Sequence, residues 1–421
     1  IHLNIPFEKP LIISKDEKNQ IFDAFEKTYF NKNSLSLHEN NSEESVRSDS
    51  NDLDNINSIN INKTGIIIAG PYQGKTKDLP YFNKALEKIQ NLSGWPVLAD
   101  PCSGINSNLR GLIDNWELIL SNKKSQIKCD QLLRLGPLST SNYLEEFLND
   151  FKGLQFLIKE RNKRSLDPLK KSWEYEFGLK QFVKEYFDPN FNKSKKVKPL
   201  IKLSYELLDA SNRISKLLSS QLSKSDKITE FSIANLVPDF WPENYPIMLS
   251  ASSPIRDWLT FSENKTLTRS CFSFRGASGI DGTLSLALGI SRVQKPLLLV
   301  TGDLAFLHDT NGWLIENYID ANLTILLLDN EGGNIFNSLY KDNLDAEELK
   351  KLFIMPKNVN WGRMAETYNI PFRFATNMNN LKECFEWSLS TSKSSIIKVS
   401  IDTTYEMYQR RLILNSINVN V

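Results

Sequence analysis

Cysteine and histidine are scarce in this chain, with four and three among 421 residues. Cys102, Cys129, Cys271 and Cys384 stand far apart with no CxxC pair, which argues against a disulfide framework or a zinc site and for scattered reduced thiols. His2, His38 and His308 are equally dispersed, so any metal is expected to be a hard cation held by oxygen. Net charge is missing too. The 51 Lys and Arg oppose 50 Asp and Glu, so no global field points to nucleic acid or to an anionic membrane, and anions must be met by local groups. No apolar run approaches the roughly 18 residues of a membrane span, and the first residues lack a basic stretch followed by an apolar core. The expected setting is the cytoplasm, or a plastid in a photosynthetic eukaryote.

What the chain has is enough apolar content, 40% of its residues, to bury more than one core. At roughly 150 residues per domain, two or three domains are expected. The opening IHLNIPFEKP reads as the tail of a domain, over residues 1–30, whose beginning is missing. In residues 31–60 fifteen of thirty positions are Asn or Ser, a composition that cannot offset its ordering entropy, so 31–63 is expected to be a polar linker. From Thr64 the pattern changes. GIIIAG (65–70), WPVLAD (95–100), QLLRLG (131–136) and LQFLI (154–158) read as strands, with helical patterns between them, one of them around Asn108 to Leu120. A lysine-dense patch at 193–198 within a Lys-, Glu- and Leu-rich stretch from Trp173 to about Lys224 suggests solvated helical surface.

A second unit follows, with strands at PIMLS (246–250), PLLLVTGD (296–303), LTILLLDN (323–330) and SIIKVS (395–400). Their nearly unbroken apolar character is that of parallel strands covered on both faces. The predicted fold is therefore α/β with two doubly wound parallel-sheet domains, a middle domain at 64–200 and a second at 225–421, joined by a helical connector at 201–224.

The chemistry concentrates in the second unit. One strand ends in Gly302-Asp303-Leu304 and the next in Asp329-Asn330-Glu331-Gly332-Gly333, with Asn330 27 residues after Asp303. Carboxyl ends of strands are where doubly wound sheets bind ligands, so a carboxylate, a side-chain amide and a glycine-loop carbonyl could converge there on one cation. Taken singly, an Asp after a strand is often only a helix cap and an Asn-Gly segment only a turn.

The pair of motifs resembles the thiamine diphosphate motif, Gly-Asp-Gly followed by a distant Asn, with Leu304 in place of the last glycine. That departure, with RGASGIDG (275–282) and DNEGGNIF (329–336), resembles the 2-succinyl-5-enolpyruvyl-6-hydroxy-3-cyclohexene-1-carboxylate synthase family of menaquinone and phylloquinone biosynthesis. SASSPIRD (250–257) and WPVLADPCSG (95–104) extend the likeness.

The resemblance implies an enzyme that decarboxylates 2-oxoglutarate on thiamine diphosphate and adds the succinyl fragment to isochorismate, working as a homodimer or homotetramer. It implies Asp303, Asn330 and Gly332 as ligands of Mg2+ or Mn2+, and Gly302, Asp303, Ile280 and Gly333 around the cofactor, with Ile280 propping its bent conformation. Ser252, Arg256 and Arg275 would meet substrate carboxylates, and Ile335 and Phe336 would wall the reacting atoms. Asn142 and Tyr143 stand where the family often carries a basic pair. No catalytic residue can be assigned, because the family's acid, a glutamate, belongs to an amino-terminal domain expected to be missing; on that expectation these residues alone would not turn over.

Three other readings compete. AGPYQGKT (69–76) follows a strand and nearly matches a nucleotide-hydrolase phosphate loop, with ILLLD (325–329) as an acidic strand partner, but Ala69 replaces its first glycine and Pro80 comes soon after. A non-catalytic, cofactor-binding partner subunit and an acetolactate-synthase-like decarboxylase are the other two.

Overall fold

The computed structural model describes residues 20, 59–122, 127–189, 191, 197–222, 227–274, 279–340, 345–356 and 358–417. Arg275 and nearly all of the expected tail and linker at 1–58 lie outside these residues.

Two six-stranded sheets, parallel in every pairing, organise the chain. The first contains β1 (Gly65–Ala69), β2 (Val97–Ala99), β3 (Leu112–Ile113), β4 (Gln131–Leu135), β5 (Leu154–Ile158) and β6 (Trp173–Tyr175) in the order β3-β2-β1-β4-β5-β6. The second contains β7 (Ile247–Leu249), β8 (Cys271–Ser273), β9 (Leu297–Gly302), β10 (Leu323–Asp329), β11 (Phe372–Ala375) and β12 (Ser395–Ser400) in the order β11-β12-β10-β9-β7-β8. This is the α/β, doubly wound architecture that the alternation of strands and helices predicts.

Fourteen α-helices are formed by the described residues. In the first unit they are α1 (Leu79–Ser93), α2 (Trp116–Ser121), α3 (Asn142–Asp150) and α4 (Leu179–Tyr186), followed by α5 (Lys202–Leu222). The second unit adds α6 (Glu230–Phe240), α7 (Ser253–Phe261), α8 (Thr283–Ser291), α9 (Asp303–His308), α10 (Ile335–Tyr340), α11 (Ala346–Leu349), α12 (Trp361–Thr367), α13 (Met378–Ser390) and α14 (Thr403–Ser416). On α5, Leu203, Leu207, Ala210, Ile214 and Leu218 recur at helical spacing and are buried in a core that also takes Ile66 and Leu132 from the first sheet and Ile247 and Leu326 from the second. The helix thus ties the two units together, and its Ser204 hydroxyl donates to the Gly94 carbonyl at 2.7 Å.

Four strands went unforeseen, and all four are edge strands: β3, β6, β8 and β11. The helical reading around Asn108 to Leu120 is corrected accordingly. Gly111 and Asn115 both have positive φ, so the chain turns twice there, and Leu112 and Ile113 pair with Val97 and Leu98 before α2 begins. The helical stretch expected from Trp173 opens instead with β6, which pairs with Phe156–Ile158. Lys198, in the lysine patch, donates its Nζ to Asn62 Oδ1 at 2.6 Å. Asn142 and Tyr143 lie in the first turn of α3, whose N-cap Ser141 accepts from the Leu144 N–H. The cysteines are less scattered in space than in sequence, since the Cys102 and Cys271 sulfurs lie 3.7 Å apart. The phosphate-loop alternative fails on topology: Ala69 ends β1 in the first sheet, whereas 325–329 lies on β10 in the second. Among the described residues no helix is long and apolar enough to cross a membrane.

Candidate cofactor site

In the second sheet β7 and β9 are neighbours while β8 lies on the far side of β7, so successive connections run in opposite directions along the sheet from this point. At such a switch the loops splay apart and leave a crevice at the carboxyl ends of the strands. The sequence-predicted residues fall at or after the carboxyl ends of four adjacent strands there: Ser252 and Arg256 after β7, Ile280 after β8, Gly302 and Asp303 at the end of β9, and Asn330, Gly332, Gly333, Ile335 and Phe336 after β10.

Asp303 is the first residue of α9 and only 4% exposed. Its Oδ1 accepts from the Leu304 N–H at 2.6 Å and its Oδ2 from the Gly332 N–H at 2.7 Å, so the two motifs are joined directly. Loss of water pushes its pKa up to about 7, against the pull of those two N–H groups, and the neighbouring Asp329 carboxyl adds to the rise. Asp329 accepts from the Trp361 indole at 3.0 Å and pairs with Lys398 at 2.8 Å.

Asn330 is 8% exposed, and its Nδ2 donates to Glu230 Oε1 at 2.6 Å while its Oδ1 is buried with no hydrogen-bond partner. A buried carboxyl with its pKa raised and a buried amide oxygen left unsatisfied are both costs that a hard cation would remove. A donor set of carboxylate, amide oxygen and glycine-loop carbonyl is of the hard, oxygen-only kind that magnesium or manganese takes.

Glycine is required at 332, where φ is +124° and a Cβ would sit 2.1 Å from the Ile354 carbonyl oxygen. Gly333 donates its N–H to that same oxygen at 2.6 Å. A Cβ on Gly302, by contrast, would meet nothing within 4 Å, leaving open space beside Asp303.

Ser252 has φ +76° and ψ −135°, a strained conformation for serine, and its carbonyl accepts from the Arg256 guanidinium at 2.8 Å. Arg256 itself is exposed. Half-buried Ile280 lends its carbonyl to the Thr283 hydroxyl at 2.9 Å. Ile335 and Phe336 open α10 half-buried, the Phe336 ring 5.4 Å from that of Phe353.

A family model described as the middle domain of thiamine pyrophosphate matches residues 32–249. A 2-succinyl-5-enolpyruvyl-6-hydroxy-3-cyclohexene-1-carboxylate synthase of Prochlorococcus marinus (strain MIT 9515) is 58% identical over 417 residues, 99% of this chain and 70% of the relative. The chain belongs to this synthase family. Synthases of the same name from strain MIT 9301 and strain NATL2A are 55% identical over 419 residues and 37% identical over 407, covering 99% and 95% of the chain and 70% and 66% of the relatives. Membership makes the chain part of a thiamine-diphosphate-dependent transferase.

Sequence reasoning missed the residues packed against Asn330 in this candidate site. Glu230, the first residue of α6, donates its backbone N–H to Glu406 Oε2 at 2.8 Å. Arg410 on α14 reaches Glu406 and Asp257, each at 2.7 Å. Burial, with the Asp257 and Glu406 carboxyls nearby, pushes Glu230 up to about 8. In sequence Glu230 reads only as an acid in a helix's first turn after the Thr229 cap, and no spacing signal connects it to Asn330. Asp329, within the glycine motif itself, could have been found.

Proposed function

We propose that residues 225–421 of this synthase chain hold the metal and diphosphate end of thiamine diphosphate, and that Asp303, Asn330 and the Gly332 carbonyl ligate the Mg2+ or Mn2+ that anchors it. The observation that carries this reading is the buried, partnerless Oδ1 of Asn330 beside an Asp303 already bonded to the Gly332 N–H. When bound, thiamine diphosphate supplies the electron sink that lets a 2-keto acid lose carbon dioxide and form a carbon–carbon bond. The reaction is the decarboxylation of 2-oxoglutarate and addition of the succinyl unit to isochorismate, giving the product for which the family is named.

The chain's own residues bind and orient. Asp303 and Asn330 fix the cation, and the Gly302 and Gly333 backbones leave room for the diphosphate. Ile280 would contact the bound cofactor and favour its bent shape. Arg256 and Arg275 take substrate carboxylates, as planar guanidinium forks suit that geometry, and Ser252 adds a hydroxyl beside the same anion. Ile335 and Phe336 keep water from the reacting atoms. A homodimer completes the site, and the exposed apolar side chains of Leu286, Val293, Leu314 and Tyr318 on and after α8 support a partner surface there.

Calorimetric titration of the purified protein with thiamine diphosphate and Mg2+ tests the metal assignment. Asp303→Ala is expected to abolish metal-dependent binding with the melting temperature preserved; wild-type affinity in that variant overturns the assignment.

A further inference from the structure

The geometry points to Glu230 as a positioning residue that sets which end of the Asn330 amide faces the cation. The inference rests on the metal reading above. A side-chain amide is nearly symmetric in shape, but only its oxygen ligates a metal, so the ligand exists only if something fixes the rotation about the last bond. Here the amide nitrogen donates to Glu230 Oε1 at 2.6 Å, in a place where both residues are under 9% exposed. Turning the amide over would lose that bond and, with the Glu230 carboxyl ionised, set two oxygens against each other. With the nitrogen held, Oδ1 points away from Glu230 and stays unpartnered.

Glu230 is itself held by the cap of its own helix and by α14. The capping box of Thr229 and Ser232 starts α6 at this residue. Glu406 on α14 takes its backbone N–H, and Arg410 spans from Glu406 to Asp257 on α7. Three carboxyls gathered round one guanidinium, with Glu230, Asp257 and Glu406 each at most 5% exposed, carry a desolvation cost that apolar packing would avoid. Stability therefore does not explain the cluster. A fixed acceptor behind a metal ligand does, since partners of this kind orient the ligand and their loss typically weakens metal binding by about 10- to 100-fold.

The test reads metal affinity directly, by electron paramagnetic resonance of free Mn2+ in the presence of thiamine diphosphate. Glu230→Met, similar in size but without an acceptor, is expected to weaken Mn2+ binding by about 10- to 100-fold. Glu230→Gln, whose amide oxygen can still accept from Asn330, is expected to restore it to near the wild-type value. Native melting in Glu230→Met together with wild-type Mn2+ affinity overturns the inference, as does a Gln variant no better than Met. Should the Met variant not fold, the side-chain NH2 of Asn330 in selectively labelled wild-type protein decides: slow hydrogen exchange supports the bond to Glu230 and fast exchange refutes it. Asp303→Ala run in parallel separates the two levels, because unchanged Mn2+ binding there removes the site itself, whereas loss there with none in Glu230→Met removes only the positioning role.

Discussion

Gly332→Ala puts the site's geometry under the most direct strain. The residue sits at φ +124°, where an L side chain is rarely tolerated, and an alanine Cβ would lie 2.1 Å from the Ile354 carbonyl oxygen and 3.1 Å from its carbon. That carbonyl cannot simply swing away, because it accepts the Gly333 N–H at 2.6 Å. A forced backbone conformation costs about 1 to 3 kcal/mol. Relief by shifting residue 332 also stretches its N–H away from Asp303 Oδ2, now 2.7 Å away, and a hydrogen bond to a charged acceptor is worth about 1.5 to 3 kcal/mol. Even the low ends together come to about 2.5 kcal/mol, or roughly seventyfold in cofactor affinity where the cost falls on the cofactor-binding conformation. Calorimetry with thiamine diphosphate and Mg2+ measures this. Binding by Gly332→Ala within threefold of wild type would refute the reasoning.

Glu117 supplies a pH test away from the site. Buried on α2 against the Ser141 cap of α3, it is raised by loss of water from 4.5 to about 7 despite the Ser141 hydroxyl. The folded protein therefore holds a proton that the unfolded chain releases, so this contribution is full below about pH 4.5 and is lost as pH rises through 7, about 3 kcal/mol in all. The melting temperature of Glu117→Gln relative to wild type should rise between pH 5 and pH 8; a pH-independent difference would contradict it. In the first sheet, Asp167 is 3% exposed; burial alone would raise its carboxyl, but the Ser172 hydroxyl and the Arg134 guanidinium bring it down to about 2. Asp167→Asn strands the buried Arg134 charge and should cost about 3 to 5 kcal/mol in denaturant unfolding; a change under 1 kcal/mol would show the pair to be dispensable. Arg256→Ala in the active enzyme should lower kcat/KM for a substrate carboxylate by one to two decades, about 1.5 to 3 kcal/mol, and unchanged kinetics for both substrates would remove it from the site.

Much of this was legible in the chain order. Strands β1, β2, β4, β5, β7, β9, β10 and β12 announce themselves because their side chains are buried on both faces, and a run such as Leu323–Asp329 leaves no helical or alternating alternative. Asp303 and the 329–336 loop are likewise local: short motifs whose residues need only reach the same sheet edge. The edge strands β3, β6, β8 and β11 were not legible, since they are two to four residues long and only partly buried, and their extended form comes from the hydrogen bonds of an already formed neighbour. Tertiary structure alone set Glu230 against Asn330 across 100 residues, Lys398 against Asp329 through the register of β10 and β12, and Arg410 between Asp257 and Glu406. Local composition can tell which residues are able to bind a cation and on which loops they lie. Which end of the Asn330 amide is left without a partner is decided by Glu230 on another element, because hydrogen bonds between distant segments leave no periodic trace in the sequence.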